Sequence, residues 1–326
     1  MKALRITRPG GPEVLEIAEV PTPQPRADEL LVRVRAAGLN RADILQRKGH
    51  YPPPPGFPED IPGLEYAGEV AAFGSDVRRF RVGQRVFGLT GGGAQAEFVA
   101  IPAALVLPVP DGLSDIDGGG IPEAYITAHD ALFTQGSLTA GNTVLVHAVG
   151  SGVGIAAMQI AQANGCRVFG TSRTARKLTR AVELGLDMPI DVTKELFDDA
   201  VMRATHGRGV DVIIDFVGAD YFERNLNALA VKGRLVFVST LSGASTQLAI
   251  NIVMHKRLRL VGTMLRNRPL EEKVAATQSF ATAVLPLFAS QAMKVPIDRM
   301  FPLQEAAEAH RYMEANENFG KVVFSV

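Results

Sequence analysis

The sequence predicts an α/β protein of two domains, one a doubly wound parallel sheet and the other rich in short strands. Three observations support this prediction. The chain has 326 residues, which exceeds the length at which a single hydrophobic core usually stops growing. Its first third reads as short strands separated by turns, whereas its middle third alternates strands with helices, the pattern of a parallel sheet covered on both faces. We therefore place one domain at residues 1–123 and 265–326 and the other at residues 124–264.

Composition and charge narrow the class of protein. Apolar residues make up 47% and charged residues 21% of the chain, which is ordinary for a globular protein and unlike a disordered one. The 34 basic and 34 acidic residues cancel, so we expect neither nucleic acid nor an anionic membrane as the main partner. No apolar stretch reaches the roughly 20 residues that span a bilayer, and the N-terminus lacks a signal-like apolar core. Because Cys166 is the only cysteine, we expect a cytoplasmic protein without disulfides.

The strand-rich domain is predicted from segments that are rich in β-branched residues or alternate apolar and polar residues. Each of these segments is flanked by Gly, Pro or Asp. These strands are expected at residues 2–6, 14–20, 29–37, 66–73, 85–88 and 95–101. Between them, residues 51–58 contain five prolines, which lack backbone N–H groups, so we expect an irregular surface loop there.

The parallel-sheet domain is predicted from apolar strands that alternate with helical segments. Its strands are expected at residues 143–147, 167–171, 188–191, 210–216, 233–239 and 258–262. Its helices are expected at residues 125–133, 153–164, 175–184, 196–205 and 221–229. After residue 264 a long helix (269–290), an amphipathic helix (303–315) and a last strand (321–326) follow, and the last strand is expected to rejoin the first domain.

The turn after the strand at 143–147 has the form of a dinucleotide phosphate site. It reads Gly150-Ser151-Gly152-Val153-Gly154 and joins a strand to a helix. Small residues let the backbone approach a pyrophosphate, and the helix N-terminus supplies free N–H groups and a positive dipole end. Glycine turns that serve only packing are common, but the position after the first strand of a βαβ series favours dinucleotide binding.

The end of the next strand indicates which dinucleotide binds. An NAD site usually carries Asp or Glu there to hold the ribose 2′-hydroxyl. This chain has Ser172, Arg173 and Lys177 instead, and no acid. A serine can donate to a 2′-phosphate and the cations can neutralise it, although the same stretch also suits an ordinary solvated helix start. The missing acid leads us to predict NADPH.

Segments along nearly the whole chain carry a recognisable pattern. They are Gly38-Leu-Asn40-Arg-Ala-Asp43, Arg47-Lys-Gly49 with Tyr51, Pro62-Gly-Leu-Glu65-Tyr-Ala-Gly68, Gly83-Gln-Arg-Val86, Ala94-Gln-Ala-Glu97-Phe-Val99, the turn at 147–154, and Gly320-Lys321. Together they resemble the zinc-free medium-chain dehydrogenase/reductase superfamily, in its quinone oxidoreductase (zeta-crystallin-like) branch. The tetraproline after Tyr51, Ile121-Pro122-Glu123-Ala and Tyr312-Met-Glu-Ala-Asn316 are most similar to the p53-inducible quinone oxidoreductase subgroup.

The resemblance implies both fold and activity. It implies a Rossmann domain that binds NADPH, inserted into a GroES-like β-barrel-type catalytic domain, and an NADPH:quinone oxidoreductase, with one- or two-electron transfer left open. Two alternatives stay open as well: an NADPH-dependent enone or alkenal double-bond reductase, and a non-catalytic NADPH-binding protein of the kind that has acquired RNA binding. The balanced charge argues against RNA, and the presence of Asn40 and Tyr51 argues against an inactive site.

The resemblance also implies that no metal takes part. Zinc-dependent alcohol dehydrogenases carry a Cys near the position of Asn40 and a His before the Glu that matches Glu65. Here those places hold Leu39-Asn40 and Leu64. A catalytic zinc needs three protein ligands, and the six histidines show no paired ligand spacing.

The predicted catalytic residues are Asn40, Asp43 and Tyr51, because the matching positions of related enzymes line the substrate cleft. A quinone that accepts hydride builds negative charge on a carbonyl oxygen, which a hydrogen-bond donor in a dry cleft stabilises. Tyr51 would donate its hydroxyl or cover the nicotinamide, Asn40 would donate its amide, and Asp43 would position its neighbours. Structural interpretations remain for all three: a helix N-cap for Asn40, a first-turn acid for Asp43, and ring packing on the proline loop for Tyr51.

Two further side chains are interpreted as structural. Without a zinc ion to serve, Glu65 is expected to pair with an arginine. His147 lies inside an apolar strand and is expected to be a core histidine with its hydrogen bonds satisfied.

The remaining predicted cofactor contacts are Thr127, Val217, Ser239, Asn316 and Lys321. Thr127 resembles the family's nicotinamide-facing threonine. Val217 and Ser239 follow strand ends, where open α/β sheets bind ligands, and Asn316 and Lys321 are expected to return to the cleft with the last strand. The strand at 258–262 is the family's usual dimer edge, so we expect a homodimer.

Overall fold

The computed structural model describes residues 1–326 and confirms the predicted fold class, because it contains a six-stranded parallel sheet and a separate, largely antiparallel seven-stranded sheet. Contacts divide the chain into two units. Unit 1 comprises Met1–Ile126 with Leu265–Val326, and unit 2 comprises Thr127–Met264. The first boundary therefore follows Ile126, whereas the boundary predicted from the sequence follows residue 123.

Fifteen strands and eleven α-helices make up the two units. The strands are β1 (Lys2–Ile6), β2 (Leu15–Glu19), β3 (Glu29–Leu39), β4 (Glu65–Phe73), β5 (Arg85–Leu89), β6 (Phe98–Pro102), β7 (Val106–Pro108), β8 (Thr143–Val146), β9 (Arg167–Ser172), β10 (Met188–Asp191), β11 (Val210–Asp215), β12 (Leu229–Phe237), β13 (Arg259–Gly262), β14 (Ile297–Pro302) and β15 (Lys321–Ser325). The helices are α1 (Arg41–Arg47), α2 (Asp115–Gly119), α3 (Thr127–His129), α4 (Gly152–Ala163), α5 (Ala175–Glu183), α6 (Phe197–Ala204), α7 (Phe222–Ala228), α8 (Ile250–Lys256), α9 (Leu270–Ala283), α10 (Leu285–Ala289) and α11 (Ala306–Glu314). None of these helices combines the length and apolar character that crossing a membrane requires.

Unit 1 is organised around β3, which pairs with β4 along one edge and with β6 and β15 along the other. The complete order is β14-β15-β3-β4-β5-β7, with β6 joined to β3, and β1 and β2 form a separate antiparallel pair. Leu30, Val32 and Val34 alternate along β3 and are buried against Val70 and Ile101, as the period of two in a strand requires. The central position of β3 places its last residue, Leu39, directly before α1.

Unit 2 is a doubly wound sheet in the order β10-β9-β8-β11-β12-β13, with every pair parallel. Its central strands read as continuous apolar runs, and all four residues of β8 are buried, because helices cover both faces of such a sheet. Strand order reverses between β8 and β11. The carboxyl ends of these strands therefore border the crevice in which folds of this kind bind ligands.

The helical predictions hold less well outside the parallel-sheet series. The long helix expected at 269–290 is divided into α9 and α10 around Val284, because Pro286 lacks an N–H and its ring opposes a continuous helix. The helical run expected at 125–133 consists of two π-helical turns, Pro122–Ile126 and Asp130–Gln135, on either side of α3. The short helices α2 and α8 and the strands β7 and β14 were not predicted, and α1 was predicted only as the structural alternative for Asn40 and Asp43.

Candidate functional site

Asn40 and Asp43 lie at the start of α1 in unit 1, where they satisfy its N-terminus. Asn40 is the N-cap, its backbone N–H donates to Asp43 Oδ2 at 2.8 Å, and the Asp43 N–H donates to the Asn40 carbonyl at 3.0 Å. Gly63 N–H donates to the other carboxylate oxygen at 3.0 Å. Burial raises the pKa of Asp43 to about 6, and these N–H donors oppose the rise. The predicted helix N-cap at Asn40 and first-turn acid at Asp43 are confirmed. Through its two carboxylate oxygens, Asp43 also joins the loop at Gly63 to the start of α1.

The side chain of Asn40 belongs to a buried cluster that we call the ion-pair cluster: Asn40, Glu65 and Lys321. Asn40 Nδ2 donates to Glu65 Oε1 at 2.8 Å, and Lys321 Nζ donates to Asn40 Oδ1 at 2.8 Å and to Glu65 Oε1 at 2.5 Å. The side chains of Lys321 and Glu65 are only 4% and 0% exposed. The partner of Glu65 is therefore a lysine, and the expectation of an arginine was wrong. One amide N–H of Asn40 stays available, because an amide has two donor hydrogens.

Close packing around the ion-pair cluster depends on a glycine. A Cβ atom at Gly38, on β3, would overlap the carboxylate of Glu65 on β4. The other carboxylate oxygen, Oε2, accepts the backbone N–H of Glu123 at 2.8 Å. Glu65 thus connects β4 to the π-helical turn at Pro122–Ile126, as well as to β15 through Lys321.

Tyr51 is held by Arg266, a buried residue that the sequence analysis did not identify. The Arg266 guanidinium donates to the Tyr51 carbonyl at 3.0 Å, to the Gly91 carbonyl at 2.9 Å and to Gln46 Oε1 at 2.6 Å. Its central carbon lies 4.8 Å from the Tyr51 ring centroid. Burial, and secondarily the Glu123 carboxyl, raises the pKa of Tyr51. The phenol therefore stays protonated near neutral pH and can donate a hydrogen bond.

A cleft of unit 1, here called the unit 1 cleft, lies beside this arginine. Its walls are mainly apolar and carry three ionisable groups; the lining residues are Phe57, Leu89, Thr90, Gly91, Leu105, Glu123, Leu265, Arg266 and Lys273. Lys273 was not identified from the sequence, and Glu123 was named only within the segment Ile121-Pro122-Glu123-Ala, without a role. For Glu123 a signal was available, since it is the only acid in the apolar run from 119 to 129. Arg266 and Lys273 offered none, because arginine and lysine are common on exposed turns and helices.

In unit 2 the glycine-rich turn has the geometry of a phosphate cradle. Ser151 is the N-cap of α4, and its Oγ accepts the Gly154 N–H at 3.0 Å. A Cβ atom at Gly154 would lie 2.5 Å from the Ala148 carbonyl oxygen, so only glycine permits this approach of helix to strand. Gly150, Gly152 and Val153 complete the turn at the carboxyl end of β8. The Ser151 hydroxyl hydrogen remains available for an anion.

Ser172, Arg173 and Lys177 lie at the carboxyl end of β9 and the first turn of α5. Ser172 is buried and its Oγ accepts the Thr174 N–H at 3.1 Å, whereas Arg173 is exposed and Lys177 half-buried. No acidic residue occupies the end of β9. The neighbouring strand β10 does end in an acid, Asp191, which pairs in register with Ser172. The Asp191 carboxylate accepts the Thr193 N–H and hydroxyl at 3.0 and 2.6 Å.

His147 is confirmed as a core histidine with both ring nitrogens satisfied. Nδ1 lies 2.9 Å from Thr171 Oγ1, and Nε2 lies 2.7 Å from Asn225 Oδ1. The Asn225 amide in turn donates to Asp215 Oδ2 at 3.0 Å, while Asp215 Oδ1 accepts the Val217 N–H at 2.7 Å. This chain of hydrogen bonds links the ends of β8, β9 and β11 and fixes the loop that carries Val217.

We expect His147→Gln to remove a pH-dependent part of the stability. Burial lowers the pKa of His147 to about 4, whereas an unfolded histidine has a pKa of about 6.5. Between these values the unfolded chain binds a proton that the folded chain does not. The stabilisation is therefore complete above about pH 6.5 and is lost toward pH 4, by up to about 3 kcal/mol.

Urea unfolding of both proteins at about pH 7.5 and about pH 4.5 measures this difference. The advantage of the parent over the variant should shrink at the lower pH. The exposed His255→Gln is the matched control, for which we expect parent-like stability at both pH values. A constant difference between His147→Gln and the parent would contradict the prediction.

The other predicted contacts occupy scattered positions. In unit 2, Thr127 is buried at the start of α3, and the N–H of the half-buried Ser239 donates to the Asp215 carbonyl at 3.4 Å. In unit 1, Asn316 has a left-handed backbone (φ +56°), and its Oδ1 accepts from Arg41 at 2.8 Å. Lys321 is engaged in the ion-pair cluster.

Comparison with known proteins relates both units to oxidoreductases. Residues 152–283 match the family "Zinc-binding dehydrogenase" and residues 26–111 match "Alcohol dehydrogenase GroES-like domain". A quinone oxidoreductase of Pseudomonas aeruginosa is 34% identical over 99% of this chain and 98% of its own. The structure of Escherichia coli quinone oxidoreductase complexed with NADPH superposes with a TM-score of 0.90 at 28% identity, and a mycobacterial protein complexed with NADPH does so with 0.88 at 32%; each match covers 100% of both chains.

The name of the first family implies zinc, and the residues of this chain do not fit it. Leu64 offers no ligand atom, Asn40 offers only an amide, and the Glu65 carboxylate is already paired with the Lys321 ammonium. A catalytic zinc takes three ligands from His, Cys, Asp or Glu. The structure contains no group of three or more such side chains placed to hold a metal ion.

Proposed function

Because this chain belongs to the quinone oxidoreductase branch of the zinc-free medium-chain dehydrogenase/reductase superfamily, we propose that it is an NADPH-dependent quinone oxidoreductase. The observation that carries the proposal is the carboxyl edge of the unit 2 sheet. There the phosphate cradle at Ser151 lies beside a strand end that has cations in place of the acid an NAD site would use.

The proposed cofactor site extends along this edge. The backbone N–H groups of Gly152 and Val153 and the Ser151 hydroxyl would hold the pyrophosphate, together with the positive end of α4. Ser172, Arg173 and Lys177 would bind the 2′-phosphate; Gly150, Thr127, Val217 and Ser239 would complete the site. NADPH supplies a hydride when bound, and the protein supplies its orientation and the polar groups around the acceptor.

On the substrate side we assign roles to residues of unit 1. The Tyr51 hydroxyl and the remaining Asn40 N–H would donate to the acceptor oxygen, where negative charge develops. Asp43 holds the start of α1 and is a positioning residue. Lys321 and Asn316, expected from the sequence to contact the cofactor, are instead assigned to anchoring, because their polar atoms bind Glu65, Asn40 and Arg41.

Steady-state oxidation of NADPH in the presence of 1,2-naphthoquinone tests the proposed function. The same assay with an α,β-unsaturated aldehyde, and both assays with NADH, separates the alternatives. Quinone turnover that prefers NADPH is the expected result. Turnover of the aldehyde alone would make the protein an alkenal reductase, and NADPH binding without turnover of either acceptor would make it a binding protein.

The proposal places the enzyme in the cytoplasm, where reducing conditions keep a lone thiol such as Cys166 unoxidised.

The proposal also includes a homodimer formed through the β13 edge. β13 ends the unit 2 sheet, and unpaired edges are usually covered. Close to it in sequence, Ile250 and Met254 of α8 are 64% and 71% exposed. Such apolar side chains are typical of a surface that a partner buries.

We expect the double substitution Ile250→Glu, Met254→Glu to convert the dimer to a monomer, because two carboxylates would have to be buried without partners. Sedimentation velocity gives the oligomeric state. Val182→Glu, which changes an exposed apolar residue of α5, is the control and should remain dimeric. A parent protein that sediments as a monomer would remove the dimer from the proposal.

A further inference from the structure

Glu123 is an acid whose place in the unit 1 cleft calls for an explanation. We propose that Glu123, which lines this cleft, is the catalytic proton donor to the reduced substrate, a proposal that rests on the proposed quinone reductase activity. The sequence resemblance includes Glu123 only as part of a matching segment, and none of the roles assigned above uses this side chain. The argument depends on its backbone, its surroundings and the proton that quinone reduction consumes.

The backbone of Glu123 is fixed while its carboxyl is left unbound. The residue lies in the π-helical turn Pro122–Ile126, and such turns recur at functional sites. Its N–H donates to Glu65 Oε2 at 2.8 Å, which ties the turn to the ion-pair cluster. The half-buried carboxyl has no hydrogen bond or ion pair with the protein and faces a cleft with walls of Phe57, Leu89 and Leu265. An arrangement of this kind holds a carboxyl ready for a ligand.

Burial and the neighbouring carboxylates favour the protonated form of Glu123. Burial is the largest cause and the neighbouring carboxylates of Glu65 and Asp43 add to it, so that the pKa of Glu123 is raised to about 8, against the opposing effect of Lys321 and Arg266. A carboxyl with this pKa carries a proton at neutral pH and is well matched to donate it there.

Two other ionisable groups interact electrostatically with the same carboxyl. The Glu123 carboxyl contributes to raising the pKa of the Tyr51 phenol. Lys273 lies over the Phe57 ring, with Nζ 5.8 Å from its centroid, and burial lowers the pKa of its ammonium while Glu123 opposes that shift. The cation of Lys273 shares the cleft wall with the acid, and the phenol of Tyr51 lies within electrostatic range of it, as suits a site in which an anionic oxygen develops and is then protonated.

The proton balance of the reaction assigns the step. Two-electron reduction of a quinone takes one proton and one hydride, and loss of that hydride converts NADPH to NADP⁺. After hydride addition the substrate bears an anionic oxygen. The O–H bond of the Glu123 carboxyl breaks, its proton forms the new O–H bond of the hydroquinone, and water returns a proton to the carboxylate through the exposed side of the cleft.

Glu123→Gln tests the proposal, because glutamine keeps the shape and the backbone N–H of this residue but supplies no acidic proton. With 1,2-naphthoquinone we expect kcat to fall by about 100-fold or more. The kcat of the parent should decline above about pH 8 as the acid ionises, and the residual kcat of the variant should not. The Kd for NADPH, followed by nucleotide fluorescence, should be unchanged. Glu271→Gln, on the exposed side of α9, should behave like the parent.

Thermal unfolding of the same pair, without substrate, reports the protonation state directly. Because the pKa of Glu123 is raised on folding, its contribution to stability is complete below about pH 4.5 and is lost as pH rises through about 8. The Tm of the parent relative to Glu123→Gln should therefore decrease over this range. A constant Tm difference would show an ionised Glu123 at neutral pH and overturn the proposal.

The outcomes separate the two proposals. If Glu123→Gln retains the kcat and the pH profile of the parent, Glu123 is not the proton donor, while the quinone reductase activity stands. If the parent itself does not reduce the quinone, the proposed function fails and the role of Glu123 fails with it.

Discussion

Replacing Lys321 with methionine is expected to lower the free energy of unfolding by about 3–5 kcal/mol. The variant leaves Glu65, which is fully buried, without its partner cation, and leaves Asn40 Oδ1 without a donor. A buried carboxylate deprived of its counter-charge is among the most destabilising changes in a folded protein. Urea unfolding at neutral pH measures the loss.

Two further variants serve as controls for the Lys321→Met result. Lys48→Met breaks the surface ion pair with Glu314 at 2.6 Å, and we expect it to cost less than about 1 kcal/mol because solvent screens that pair. The double variant Glu65→Leu, Lys321→Met removes both buried charges and should recover much of the stability. If Lys321→Met costs no more than Lys48→Met, the ion-pair cluster does not stabilise unit 1 as we infer.

Replacing Arg173 and Lys177 with alanine is expected to lower kcat/KM for NADPH by roughly 10–100-fold for each residue, since a hydrogen bond to a charged group contributes about 1.5–3 kcal/mol. The kcat/KM for NADH should change little, because NADH has no 2′-phosphate. The enzyme would thereby lose its selectivity between the two cofactors. Initial rates at subsaturating NADPH and NADH, with the quinone held constant, give both values.

A control variant at another arginine tests whether loss of a positive charge anywhere in unit 2 lowers kcat/KM. Arg203→Ala changes an exposed residue of α6 in the same unit, where it pairs with Glu195 on the surface. It should leave kcat/KM for both cofactors at the parent level. Equal losses with NADPH and NADH in the Arg173 and Lys177 variants would place the 2′-phosphate elsewhere or point to damage of the turn.

The parallel sheet could be predicted in detail because its signals are local. A run of apolar residues predicts a strand such as β8, and glycines within a few positions predict the turn that follows it. His147 could likewise be recognised as a core residue from its apolar neighbours. The helix expected at 269–290 is divided for a local reason too, because Pro286 cannot continue the helical hydrogen bonding.

The contacts that build the candidate site could not be predicted in the same way. Lys321 and Glu65 are 256 residues apart in the chain, and Arg266 and Gln46 are 220 apart. No periodicity links such positions, and a lysine gives no sign in the sequence that it will be buried. The identity of the partner of Glu65 and the anchor of Tyr51 therefore became known only from the fold.

The pairing of β15 with β3 has a consequence for biosynthesis. Val322–Ser325 must reach Ala36–Leu39 to cover an edge of the central strand of unit 1, whereas every strand of unit 2 has been synthesised by Gly262. Because domains fold as their segments leave the ribosome, the nascent chain will display a completed nucleotide-binding sheet while β3 still has an open edge at 36–39. During that interval the edge is a template for foreign strands, so a ribosome stalled shortly before Lys321 would release an aggregation-prone chain.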